Sequence, residues 1–465
     1  MSIYALQSRW VLESNRLYYY GLRNGQNMFK NSLHLTKRKL EIIERLPCDL
    51  SEKEIKALGK LIGTQVVREC DLRKIPTSLR EACFCKSCVA NDFIIPGLEF
   101  DSDGLCPMCR SRDKTKDLRS ILPIVDKIPH ADNSQFDVAL FYTGGKDSTF
   151  LLYYLAKKCG LRVLAMTWDM PFMSDSAKAS IENAKRAFDN VEFISRAVGD
   201  EDMRKIYKRL FELSDNTCAC PSLAYVLFYP ELVERRVPYF VAGNEPVQMR
   251  GLYYNRIAPK IAYTFANNRL LNVLINVGRV ITLRPPLKPG QFHTLATMKQ
   301  LAYGDNPIKK LAGYENELVS NIVKAIHEVP SLLPPLKEAI RRSSRSGSIP
   351  AFVHIDFDDI CGGYDWTKIK QTLIAECGWV SPDDSAKALH TSCKIERCKD
   401  HTQFLRFYNC KSKMIPFSAL EISLASYGSQ RPREEWLYEM ENLLGFSLTP
   451  PTECAIMREY IGESL

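Results

Sequence analysis

No run of 18 uncharged apolar residues occurs in the 465-residue sequence, so a membrane-spanning helix is not expected. The first twenty residues, MSIYALQSRWVLESNRLYYY, interrupt every apolar run with Gln, Ser, Arg, Glu or Asn. No signal-peptide core forms there, and a cytoplasmic setting is expected. Internal repeats and low-complexity tracts are also lacking, which excludes a solenoid or a fibre. Neither sign of charge dominates. The 63 Lys and Arg against 54 Asp and Glu leave +9, an excess that favours phosphate-bearing ligands without requiring nucleic acid. At 45% hydrophobic and 25% charged residues the composition is that of a globular protein, long enough for about three domains.

Cysteine is plentiful. Sixteen thiols in a chain expected to be cytoplasmic argue for metal sites, catalysis or reduced packing thiols rather than a disulfide framework.

Four segments are expected. Residues 1–80 hold two helix-like runs, LTKRKLEIIERL and SEKEIKALGKLIG, the second opened by a Ser51/Glu54 capping box. With TQVVREC as a strand they suggest a winged-helix-like unit, either a packing extension or a peptide- or nucleic-acid-recognition module. Residues 81–112 form a cysteine cluster, followed by a polar connector. Residues 133–290 alternate strands (DVALFY, RVLAMTW, VEFIS, PYFVA) with helices, the pattern of right-handed βαβ crossovers in a parallel sheet. Ligands of such sheets bind beyond the carboxyl ends of the strands. Residues 291–465 are expected to be mostly helical.

The sharpest chemical signal is Thr143-Gly144-Gly145-Lys146-Asp147-Ser148, set between an apolar strand and an amphipathic helix. Two glycines permit positive φ and close backbone approach, so successive N–H groups can face phosphate oxygens. Ser148 is expected to cap the helix, whose positive end attracts anions, and Lys146 to add a mobile charge. Asp147 beside polyphosphate would be repulsive without an intervening divalent cation, which implies Mg²⁺. The G-x-x-x-x-G-K-[ST] spacing of a Walker loop is absent. An ordinary Gly-Gly turn is the alternative.

The hexapeptide resembles the S-G-G-x-D-S motif of the PP-loop, or N-type ATP pyrophosphatase, superfamily, with Thr143 at the first hydroxyl position. The resemblance implies ATP binding, attack of a substrate oxygen on the α-phosphorus, and release of pyrophosphate, with Lys146 and Asp147 as catalytic candidates. It further implies nucleotide contacts at Thr167 and Trp168, closing the second strand, and at Gly243, Asn244 and Glu245, closing the last.

Cys85-x-x-Cys88 and Cys106-x-x-Cys109 stand at structural-zinc spacing, and four thiolates would close a tetrahedral shell. Cys83 could substitute for Cys85, and free thiols or an iron–sulfur cluster are the alternatives to zinc. The segment CKSCVANDFIIPGLEFDSDGLCPMC ahead of the loop, with GWVSPDDSAKALHTSC near the end, resembles the N-acetyl sugar amidotransferases of surface-polysaccharide biosynthesis. The fold class implied is α/β: a parallel-sheet PP-loop ATP pyrophosphatase domain, adenine nucleotide alpha hydrolase-like, with a small four-cysteine zinc knuckle and extra helical N- and C-terminal regions. Ammonia would then come from a separate glutaminase.

Cys218 and Cys220 are placed to open toward the nucleotide, where thio-transferring members of the superfamily carry relay or cluster cysteines; packing thiols are the bland alternative. His390, Cys393, Cys398 and His401 form a tail cluster of non-standard spacing, better read as surface histidines and core cysteines than as a second metal site.

Three functions follow. The first is an ATP-dependent amidotransferase that adenylates a carbonyl or amide oxygen of a small-molecule acceptor. The second keeps the adenylation but transfers sulfur through Cys218 or Cys220 to tRNA or a small molecule, using a sulfur-donor protein. The third is a non-catalytic, zinc-stabilised binding protein, with Arg250, Arg256 and Lys260 as first suspects for RNA contact.

Overall fold

The computed structural model describes residues 2–23, 32–69, 75–111, 128–214, 219–243, 246–255, 269–288, 290–304, 317–353, 355, 357, 360, 365–427 and 429–463. Cys218, Asn244, Glu245, Arg256 and Lys260, and most of the connector, lie outside the described residues. Contacts divide the chain into two units: residues 1–113 with 403–441 and 446–449, and residues 114–402 with 442–445 and 450–465. The C-terminal stretch from 291 thus contributes to both.

In the first unit, β1 (Ile3–Leu6) lies between β5 (Cys48–Asp49) and β6 (Val67–Glu69), all antiparallel. A second antiparallel sheet holds β2 (Trp10–Glu13), β3 (Arg16–Tyr19) and β4 (Ser32–His34). The sequence pointed to helices and a single strand, but the first 34 residues supply four strands. Their signal was a short one: WVLE and RLYY flank Ser14-Asn15, a two-residue hairpin turn in which Ser14 has φ 55°. Helices α1 (Lys37–Ile43) and α2 (Glu52–Gly63) cover a core of Trp10, Leu17, Tyr19, Ile42, Ile43, Leu58 and Val67. The capping box at α2 forms. Ser51 N–H donates to the Glu54 carboxylate (2.9 Å), and bonding from Ser51 and Arg45 pulls Glu54 down to about 2.

The second unit is built on a five-stranded parallel sheet in the order β11 (Ala351–Phe352), β10 (Tyr239–Ala242), β7 (Val138–Phe141), β8 (Val163–Trp168), β9 (Val191–Arg196). Every residue of β7 and β8 is buried, as expected of parallel strands covered on both faces. Helices α4 (Lys146–Tyr153), α5 (Asp175–Ala187), α6 (Asp200–Ser214) and α7 (Ser222–Glu234) fill the crossovers, the short α3 (Pro107–Arg110) belonging to the first unit. A π-helical turn Tyr154–Lys158 extends α4 to Gly160, whose φ of 65° ends it. Strand β11 falls in the stretch expected to be helical; two residues are too few to register as a periodic pattern.

The chain leaves β7 toward β8 and returns on its other side as β10. That reversal opens a crevice at the carboxyl ends of β7 and β10, the general ligand position of doubly wound sheets. At the amino end, buried Asp137 fixes the start of β7. It accepts bonds from Arg162 Nη2 (2.6 Å), Arg162 N–H (2.9 Å) and Ala131 N–H (2.7 Å). Burial would raise its carboxyl, but these donors prevail and hold it well below the carboxylate range.

Candidate functional site

Residues 143–148 turn from β7 into α4 in that crevice. Gly144 has φ 68°, and a Cβ there would lie 2.3 Å from the Ala177 carbonyl oxygen, so only glycine fits. Gly243, just after β10, is glycine for another reason: its Cβ would meet the Ser148 amide nitrogen at 2.9 Å. The end of β10 therefore lies directly along the first turn of α4.

The cap is Gly145, not Ser148. Ser148 is the third helical residue, and its hydroxyl works inside the loop. It accepts from Thr143 N–H (3.2 Å), lies 3.1 Å from Thr143 Oγ1, and donates to Gly145 O (3.2 Å). Thr143 keeps the hydroxyl the loop geometry uses and is itself exposed. Lys146 is buried rather than mobile: its ammonium pairs with the Asp147 carboxylate and sits 4.8 Å from the Trp366 ring centroid. Asp147 is half-buried beside it.

The tail segment braces this loop, which the sequence did not reveal. Trp379 Nε1–H donates to Gly144 O (3.2 Å), and Lys146 N–H donates to Thr391 Oγ1 (3.2 Å). One first-turn amide of α4 is thereby engaged within the protein. Ser174, the cap of α5, donates its N–H to Ser392 O (2.9 Å) and its hydroxyl to Thr391 O (3.1 Å), while Met173 and Cys393 form an antiparallel bridge. The segment from Gly378 to Cys393, through Trp379 and Thr391, thus packs along one side of the loop.

At the end of β8, Thr167 donates its hydroxyl to Tyr142 O (3.0 Å). Trp168 is buried, and its indole N–H has no acceptor among the described residues. Cys220 is exposed, one residue before Pro221, the N-cap of α7. Tyr225, one turn into α7, packs edge-on against Phe141, the last residue of β7 (5.1 Å). Cys220 is therefore at the carboxyl end of the sheet, the end that carries the loop.

In the first unit, the sulfurs of Cys85, Cys88, Cys106 and Cys109 all lie within 4.8 Å of one another, the one such group of metal-ligating side chains among the described residues. Two tight turns build it: Ser87 N–H and Cys106 N–H point at the Cys85 sulfur (3.5 and 3.3 Å), and Ala90 N–H at that of Cys88 (3.4 Å). Arg433 secures the first of these turns through the carbonyls of Cys88 (2.9 Å) and Cys85 (3.3 Å). Cys83 is exposed and outside the group. The tail residues do not join in a second one: Cys398 hydrogen-bonds to Cys454, and His390 Nδ1 lies 3.6 Å from Glu396, which Lys399 and His390 hold at about 2 against the effect of burial.

No family model matches the chain, and no curated protein matches it. Among solved structures the chain is similar to the U34-tRNA thiolase NcsA from Methanococcus maripaludis with its [4Fe-4S] cluster. The identity is 15% over 63% of this chain and 96% of that one, with a TM-score of 0.22. A likeness that loose transfers neither activity nor cluster.

Within the α/β unit, then, the switch point brings together two closely packed glycines, a lysine paired with an aspartate, and a helix N-terminus. Such an arrangement can hold a phosphorylated ligand and balance the charge of a leaving phosphate.

Proposed function

We propose that the chain is an ATP-dependent transferase of the PP-loop type, adenylating an acceptor oxygen and exchanging it for another atom. The observation that carries this is the turn from β7 into α4, where Gly144 and Gly243 each pack too closely for a side chain and Lys146 pairs with Asp147 in the first turn of the helix. An acceptor carbonyl or amide oxygen attacks the α-phosphorus, the bond to the β-phosphate oxygen breaks, and pyrophosphate leaves; the nucleophile that follows expels AMP. Lys146 would exchange Asp147 for the pyrophosphate, and Asp147 would hold Mg²⁺. Bound magnesium supplies charge neutralisation to the departing phosphates. AMP and pyrophosphate release from ATP, measured with candidate acceptors, tests this: wild type releases both and Asp147→Ala does not. Persistent silence of the well-folded wild type would favour a non-catalytic binding protein.

For the atom transferred, the exposed thiol of Cys220 beside the α7 N-terminus supports sulfur, carried from a sulfur-donor protein. Nitrogen, with ammonia from a separate glutaminase, rests on the sequence resemblance alone. Cys220→Ser separates them, abolishing turnover with a sulfur donor and sparing turnover with ammonia. We infer that the four-thiol group holds structural zinc. A tetrahedral zinc with bonds of about 2.3 Å spaces its sulfurs by about 3.8 Å. The pairs Cys85–Cys109 and Cys88–Cys106 stand at 3.8 and 3.7 Å, whereas a multi-iron cluster needs thiolates spread around several metals.

A further inference from the structure

A cavity of about 820 Å³ opens at the opposite, amino end of the sheet, where Tyr239 begins β10 and Ala351 begins β11. Four strand residues at roughly 3.3 Å each put it on the order of 13 Å or more from the loop after β7. Its size is that of a nucleotide or sugar-phosphate pocket. The charged side chains on its wall are Arg236, Lys288, Arg342 and Asp132. The three cations are exposed and make no close ion pair among the described residues, although Arg342 acts at longer range on Glu338, and Asp132 acts on Arg162 outside the wall. Ser134 and Ser348 add hydroxyls. Arg236 also holds φ 55°, a left-handed conformation costly for a residue with a side chain.

Three cations on the wall of one concave cavity raise its positive potential, and arginine forks suit phosphoryl oxygens. We propose that this cavity is a second anion site, taking a small ligand that carries two or more phosphoryl groups and is bound by Arg236, Lys288 and Arg342. It is independent of the reaction proposed at the other end of the sheet. A ligand here would touch the chain segments that enter β10 and β11, so the site suits a regulatory or substrate-holding role rather than bond-making.

The test is calorimetric titration of the full-length protein with inorganic pyrophosphate. Wild type is expected to take up two equivalents. Arg236→Ala with Arg342→Ala should weaken one of them by about tenfold or more and leave the other, while Lys146→Ala does the reverse. Lys288→Ala, in a loop rather than a helix, gives the same loss as the double variant without risk to helix folding. The proposal is overturned if wild type takes up a single equivalent that Lys146→Ala abolishes, or if the double variant and Lys288→Ala both keep two. It is also overturned if a single-stranded oligonucleotide displaces pyrophosphate from this site with an affinity that falls steeply with salt, which would make the occupant RNA.

Discussion

The two candidate sites are built from opposite kinds of information. The four-thiol group comes from two short turns whose sulfurs meet because each C-x-x-C pair is local and only 17 residues separate the pairs. The loop after β7 begins as a local hexapeptide, but its shape is held from far along the chain: Trp379 reaches Gly144 across 235 residues and Thr391 reaches Lys146 across 245. A site of the first kind should fail all at once when a ligand goes. One of the second kind should fail by degrees, since each brace contributes separately.

The largest expected effect is at the thiols. Cys85→Ser with Cys106→Ser should empty the group of metal, read by elemental mass spectrometry. The N-terminal unit should lose its cooperative fold, structural zinc being worth about 10–16 kcal/mol of apparent binding. A colourless, zinc-loaded wild type fits the proposal; a brown, iron-loaded one would overturn it. Next comes Gly144→Ala, whose Cβ cannot avoid the Ala177 carbonyl. We expect about 2–4 kcal/mol of destabilisation in chemical denaturation, with loss of ATP binding and unchanged metal content.

Asp137→Asn loosens the base of the strand that carries the loop and should cost about 1–3 kcal/mol. Because the folded carboxyl lies below its unfolded value of about 3.9, this contribution is complete above the ordinary carboxylate range. It is lost as pH falls toward the folded value. Denaturation of wild type and variant between neutral pH and strong acid should therefore show a gap that closes on acidification; a gap independent of pH would mean the carboxylate is not the anchor. Smallest are the braces. Trp379→Phe and Thr391→Val should each cost about 1 kcal/mol and weaken ATP binding severalfold, and together they should add if the tail acts as two independent contacts.

Legibility followed the same divide. Strands β7 to β10 and the helices between them announced themselves through long apolar or amphipathic runs, and the glycines of the loop through their position between a strand and a helix. The N-terminal hairpin was missed because WVLE and RLYY are short and mixed with charge, although the Ser14-Asn15 turn between them was a readable signal. Ser148 looked like a cap because serine favours that position, but the backbone put Gly145 there and turned the serine inward. The bracing by residues 378–393 left no local trace: a tryptophan hydrogen-bonding one carbonyl and a threonine accepting one amide have no periodicity.

The sequence by itself determined which four thiols lie close enough to close a metal shell, and that a parallel sheet carries the Gly-Gly turn after its first strand. Spacing and residue type suffice there because the groups are neighbours along the chain. Only tertiary structure decided that Gly243 lies against the first turn of α4, that Lys146 is buried against Asp147 and Trp366, and that three cations share a cavity at the far end of the sheet. Those facts depend on which distant segments the core brings together, and burial, not local pattern, sets that.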